Sequence, residues 1–204
     1  GLSGSGKTTI AKKITRKINK LYGPTVVISG DNLRNMFNLK GYSYNDRLDT
    51  VKKYCKLSKF LTSQKINVVF AVIGMMDSVR DWNRKNIDNY VEIYIKSEIK
   101  EIIKRRKKKI YFLSKKNLVG LDIEPEFPKK PDIVLKNNFK MNINKLSEKL
   151  MDKIQKLIKD FWLIFLDILL SIKYSGIFMF FFIRCLIIEP LIAIFVFFEF
   201  LCLQ

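Results

Sequence analysis

The first nine residues, GLSGSGKTT, place Gly1, Gly6, Lys7 and Thr8 at the spacing G-x-x-x-x-G-K-[ST]. Phosphate binding is the chemistry of that spacing. The glycines let successive N–H groups turn inward around an anion, Lys7 brings a point charge to the β- and γ-oxygens, and the Thr8 hydroxyl can ligate magnesium. Gly4, Ser5 and Thr9 complete the candidate loop. A chance glycine-rich turn is the competing reading, and the helical pattern directly behind the loop weighs against it. Further on, SGDNLR sets Asp31 just beyond an apolar run, the edge of a parallel strand where ligands bind in such sheets. Asp31 could orient or deprotonate an acceptor hydroxyl, or hold magnesium through water. It could equally cap a helix beginning at Asn32, and the two roles are compatible. Arg34, and Arg47 in GYSYNDR, offer planar forks for an anionic acceptor, against the plainer reading of solvated surface arginines.

What the chain lacks narrows the chemistry further. It contains no histidine, which removes Ser-His-Asp and Cys-His triads, a His general base and any His-containing zinc site. Cys55, Cys185 and Cys202 show no C-x-x-C spacing and are too scattered for a disulfide framework, so a reducing, cytoplasmic setting is expected. Catalysis has to rest on Asp, Lys, Arg or a metal on oxygen ligands.

The elements that would carry these groups alternate. Lys7 to Leu21 reads as a helix with Ile10, Ile14, Ile18 and Leu21 on one face, ended by Gly23-Pro24. Short apolar, β-branched runs predict strands at Thr25 to Ser29, Asn67 to Ile73, Tyr90 to Ile95 and Asp132 to Leu135. Between them, helices are expected from Asp46 to about Lys65, from Asp77 or Ser78 through Ile87, from Ser97 to about Lys107, and from Asn144 to about Lys159. Apolar strands alternating with amphipathic helices imply an α/β fold, a parallel sheet covered on both faces. The chain opens inside a loop that ordinarily follows a strand, so the sheet is expected to lack its first strand, leaving neighbouring edges without partners.

Taken in order, GLSGSGKTTIA, GDNLR, GYSYNDR, NVVFAVI, VRDWNRKNIDNYVEIYI, Lys108 with Tyr111, and NLVGLDIEPEFPKKPDIVL resemble the adenylylsulfate kinases. Those P-loop kinases phosphorylate the 3′-hydroxyl of adenosine 5′-phosphosulfate with ATP. The resemblance implies that Gly4 to Thr9 cradle ATP, with magnesium at Thr8. It implies that Asp31 activates the acceptor or organises the metal, and that Arg34 and Arg47 hold the acceptor nucleotide. Tyr42 stands where an aromatic stacks on the acceptor base. Lys108 matches the lysine of a mobile lid, and Asn117 to Asp122 match the lid's closing segment. A homodimer is also implied.

The departures gather around the acceptor. Ile73-Gly74-Met75 replaces an I-S-P turn, Thr50 replaces an asparagine, Leu118 replaces a phenylalanine that would stack on adenine, and the lid is about four residues short. Phosphoryl transfer is therefore better marked than the acceptor. A related acceptor, a cytidine diphosphoramidate used in capsule modification, is the alternative, and a non-catalytic nucleotide-binding module tethered to a membrane is the third reading.

Charge and hydropathy divide the chain near Asp160. Phe161 to Gln204 hold two cations against three carboxylates, a net of −1, so residues 1–160 carry +20 of a total of +19. Lys, Ile and Asn abundance can produce such an excess without function. The KRRKKK run at 104–109 has no RNA-binding motif beside it and reads more economically as a helix end facing substrate phosphates than as a specific nucleic-acid site. The expected domains are 1–159, the kinase-like part, and 160–204, a hydrophobic tail. Uncharged stretches in the tail fall short of a membrane helix. A membrane hairpin, an interfacial anchor and a stretch foreign to the enzyme all fit it, and the last is preferred because the tail carries no chemistry.

Overall fold

β-branched runs too short for a helix and apolar on both faces pair as parallel strands, and the amphipathic segments between them return the chain across the sheet. The computed structural model describes residues 1–105 and 119–171. In order these are α1 (Lys7–Tyr22), β1 (Thr25–Ser29), α2 (Gly30–Met36), α3 (Tyr44–Ser63), β2 (Asn67–Ala71), α4 (Asp77–Asn86), β3 (Ile93–Lys96), α5 (Ile99–Lys104), β4 (Ile133–Lys136) and α6 (Ile143–Ser171). The chain divides into one unit of Gly1–Lys156 and a second of Leu157–Gln204. No helix among the described residues is long and apolar enough to cross a membrane. The tail beyond Ser171 lies outside the described residues.

The α/β class is as expected, but the strands form two parallel pairs and no single sheet. β1 pairs with β2 from Thr25↔Asn67 to Ser29↔Ala71, and β3 pairs with β4 from Ile93↔Ile133 to Lys96↔Lys136. Each strand thus keeps one edge without a strand partner among the described residues.

Packing follows the alternation of side chains along the strands. Val26 and Ile28 of β1, with Val68 and Phe70 of β2, meet Leu33 of α2 and Tyr54, Leu57 and Leu61 of α3. A second cluster joins Val51 and Cys55 of α3 to Val79 of α4 and to Met76. Leu135 and Leu150 are 1% exposed, each burial being worth about 1.5–3 kcal/mol. Lys153 Nζ donates to the Val134 carbonyl at 3.0 Å, which lays α6 along β4.

Several boundaries differ from the sequence reading, each for a physical reason. Asp31 is not a cap: α2 starts at Gly30 with Ser29 before it, so Asp31 sits in the first turn, where the helix dipole favours a carboxylate. Asp46 does not begin α3. Ser43 is the cap, and Asp46 is its reciprocal partner three residues on, a capping box in which Asp46 N–H donates to Ser43 Oγ at 3.2 Å. Ser97 caps nothing, since its hydroxyl donates to the Asn137 carbonyl at 2.9 Å and α5 starts two residues later. β2 stops at Ala71, two residues early, because the chain turns away to meet other segments. The last helix passes Lys159 and reaches Ser171, there being no glycine or proline between Asp160 and Ser171 to end it.

Candidate active site

The phosphate loop is built by backbone conformation before any side chain takes part. Gly4 and Gly6 hold φ of +79° and +91°, left-handed values that a β-carbon disfavours. Gly6 precedes α1 with no side-chain cap, and the first turn of α1 carries no acidic residue, so its leading amides face outward without a competing carboxylate. Lys7 Nζ donates to the Leu2 carbonyl at 2.6 Å, folding the lysine back over its own loop. Leu2 is buried with Met75, Ile102 and Val119, which anchors the loop's leading end. A β-carbon on Gly1 would run into the Ile95 carbonyl, so that end also lies hard against β3. Ser5 is fully buried, and its Oγ has no hydrogen-bond partner among the described residues. This orphaned hydroxyl, with the two left-handed glycines and the uncapped helix start, suits a bound polyphosphate.

Asn137 closes the loop from outside. Its side-chain amide, 4% exposed, donates from Nδ2 to the Ser5 carbonyl at 3.0 Å across 132 residues of sequence, while Oδ1 accepts the Phe139 N–H at 3.0 Å. Its backbone N–H donates to the Lys96 carbonyl at 2.8 Å, extending the β3–β4 ladder by one bond.

On the other strand pair, Asp31 follows Ser29 at the carboxyl end of β1. It is exposed and makes no hydrogen bond or ion pair with another described side chain, which leaves the carboxylate available to a ligand. Arg34 Nη1 donates to the carbonyls of Leu39 at 3.1 Å and Gly41 at 2.7 Å, and Arg47 Nε donates to the Tyr42 carbonyl at 3.0 Å. Both guanidinium groups lie by the Tyr42 ring, 4.6 and 5.4 Å from its centre, and Tyr42 is half exposed. Burial and then the Arg34 charge push the Arg47 pKa down, although an arginine stays protonated. Two converging cations beside an exposed ring favour an anionic aromatic ligand. The structure brings these three expected residues together, and both arginines also shape the loop they stand on.

The two halves connect through residues 72–77. A β-carbon on Gly30 would touch Val72 at 3.4 Å, while the next residue, Ile73, packs half-buried against the Leu2 cluster. Gly74 is held by Arg80, whose Nη1 donates to the Gly74 carbonyl at 2.6 Å. Arg80 is 7% exposed, pairs with Asp77, lies 3.5 Å from Glu92 and donates to the Glu126 carbonyl at 2.8 Å. The Glu126 carboxylate in turn accepts the Asp77 N–H at 2.5 Å and the Tyr44 hydroxyl at 3.2 Å. Arg84 extends the network to Glu92 and Asp132, both at 3.1 Å. Sequence reading missed Asn137, Arg80 and Glu126. Only Arg80 left a signal, as a charged residue sharing a helix face with the buried Val79 and Asn83.

Of the remaining candidates, Thr8 is half-buried in the first turn of α1 and Thr9 is exposed. Lys108 and Leu118 lie outside the described residues. No group of three or more Cys, Asp or Glu side chains that could hold a metal occurs among the described residues. A magnesium ion would therefore depend on the Thr8 hydroxyl and the ligand's own phosphates. Cys55 is buried, and burial pushes its thiol up to about 11, which leaves it a packing residue.

Residues 1–136 match the family described as adenylylsulphate kinase. Over 158 residues the chain is 36% identical to the cytidine diphosphoramidate kinase of Campylobacter jejuni, covering 76% of this chain and 92% of that protein. It is 30% identical to an adenylyl-sulfate kinase of Bacteroides thetaiotaomicron, over 76% of this chain and 83% of that one. Among solved structures, the APS kinase of Mycobacterium tuberculosis in complex with AMPPNP and APS is similar with a TM-score of 0.68 and 26% identity, across 76% of this chain and 94% of that chain.

Proposed function

The chain belongs to the adenylylsulphate kinase family, and on that premise we propose that it transfers the γ-phosphoryl group of ATP to a hydroxyl of a small anionic nucleotide. The observation that supports this reading is that each strand pair carries an anion-suited group at its carboxyl ends. The phosphate loop lies at the ends of β3 and β4, the Arg34–Tyr42–Arg47 cluster follows β1, and residues 72–77 join them. In this reading the loop amides and Lys7 hold the phosphates of ATP. Asp31 takes the proton of the attacking hydroxyl as its oxygen bonds to the γ-phosphorus and ADP departs. Magnesium, held by Thr8 and the phosphates, supplies charge neutralisation when bound. The resemblance that implies this chemistry also implies a homodimer, which the sedimentation of the pure chain tests.

Of the two acceptors, cytidine diphosphoramidate comes first. It is the substrate named for the relative at 36% identity, and Gly74, Met75 and Leu118 depart from the adenylylsulfate kinase pattern in segments that the resemblance assigns to substrate recognition. Adenosine 5′-phosphosulfate is the second reading, supported by the adenylyl-sulfate kinase relatives. The test is ADP release from ATP and magnesium with each acceptor in turn. Turnover that requires an acceptor, with a higher kcat/KM for the cytidine compound, is the expected result. Preference for the adenosine compound would reverse the order, and no acceptor-dependent ADP release would remove the kinase reading altogether.

A further inference from the structure

Asn137 lies 132 residues beyond Ser5 and outside every motif that marks the site, yet its side chain bonds to the middle of the phosphate loop. Its amide is used at both ends: Nδ2 donates to the Ser5 carbonyl at 3.0 Å and Oδ1 accepts the Phe139 N–H at 3.0 Å. Its backbone is fixed as well, by the bond to the Lys96 carbonyl at 2.8 Å and by the Ser97 hydroxyl donating to its own carbonyl at 2.9 Å. The side chain therefore has a defined origin, the end of β4, and a defined target. A β-carbon on Gly6 would stand 3.1 Å from Nδ2, so the amide also occupies the space beside the residue that turns the loop into α1.

We infer that Asn137 is a positioning residue for nucleotide binding, setting the curvature of the loop by pulling the Ser5 carbonyl away from the anion. A peptide unit has two ends. When its carbonyl is held outward by a buried donor, the N–H of the next residue, Gly6, is turned to the inner side, where a phosphate oxygen accepts it. Without that donor the Ser5 carbonyl is a buried acceptor without a partner, and rotating the peptide unit to relieve it points a lone pair at the phosphate. The ligand class is a nucleoside triphosphate or another polyphosphate. The inference rests on the kinase reading only in so far as the loop binds such a ligand.

Asn137→Asp separates the two halves of the amide. A carboxylate keeps an oxygen for the Phe139 N–H, so the local turn persists, while the donor to Ser5 is lost. The affinity of the full chain for a non-hydrolysable ATP analogue should fall at least about tenfold, the order expected for a lost buried hydrogen bond with its acceptor stranded. Affinity for the phosphoryl acceptor, measured separately, should stay within about twofold, since Arg34, Tyr42 and Arg47 make none of their hydrogen bonds to Asn137. A merely structural role predicts the opposite pattern, a lower melting temperature with unchanged nucleotide affinity well below it, and that result would overturn the inference. Should the variant fail to fold, the wild-type chain decides by NMR. The Asn137 side-chain amide protons should exchange slowly and shift on addition of the ATP analogue alone, and fast exchange or no shift sinks the idea. If the wild type itself bound no nucleotide, the fault would lie with the kinase reading and this inference would fall with it.

Discussion

A carboxylate oxygen of Glu126 accepts the backbone N–H of Asp77 at 2.5 Å, so α4 is capped by a residue 49 positions away and not by its own flanking sequence. Helix starts leave four amides without intrahelical partners, and here Met76 at the cap position offers none. The same carboxylate takes the Tyr44 hydroxyl, and the resulting charge next to the phenol raises the Tyr44 pKa. Glu126→Ala should therefore lower stability by about 1–2 kcal/mol, the usual size for a lost cap. Glu126→Gln should recover part of that, since an amide oxygen still accepts. Urea unfolding of the three proteins checks the order, and equal midpoints would show the cap contributes nothing.

Lys7 and Asp31 should fail in different ways. Lys7→Ala is expected to abolish turnover, because the loop loses its point charge at the transferring phosphoryl group. Asp31→Asn should leave nucleotide affinity within about twofold while cutting kcat by about a hundredfold or more, since it removes acceptor activation and leaves the phosphate loop intact. Its melting temperature should hardly move, Asp31 being exposed. Wild-type turnover by the Asn variant would refute the assigned role.

Arg34 and Arg47 each combine a structural bond with a cation placed beside Tyr42. Replacing either by Ala should raise the acceptor KM about tenfold or more and leave the KM for ATP nearly unchanged, as for a lost charge-assisted contact. Lys should rescue poorly, because a point charge reproduces neither the planar fork nor the two-carbonyl bridge of Arg34. A parallel rise in both constants would mean that the loop, and not the ligand contact, had been lost.

The capping box of α3 sets a pH dependence. Hydrogen bonds from Ser43 hold the Asp46 carboxyl below the ordinary carboxylate range. A depressed folded pKa contributes stability above the unfolded value and loses it as the pH falls through the folded one. The stability difference between wild type and Asp46→Asn should thus be constant near neutrality and shrink below about pH 4. Thermal melts from pH 7 to pH 3 measure it, and a difference that did not shrink would place the contribution elsewhere.

Sequence alone determined whatever depends on neighbours within a few positions. The glycine spacing that makes Gly4 and Gly6 left-handed, the 3.6-residue pattern of Ile10 and Ile14, and the β-branched run of β1 are local instructions, and β1 starts and stops where its run does. The box at Ser43 is equally local, a cap and its partner three residues on in an S-x-x-D spacing. Tertiary structure decided the rest because the partners lie far apart in the chain. The start of α4 waits on Glu126, the curvature of the phosphate loop on Asn137, and the turn at Gly74 on Arg80. A buried carbonyl or amide must find a partner, but nothing in its own sequence says from where. Strand pairing is of the same kind: the runs that form β2 and β3 specify strands, while which edges meet depends on what stands between them.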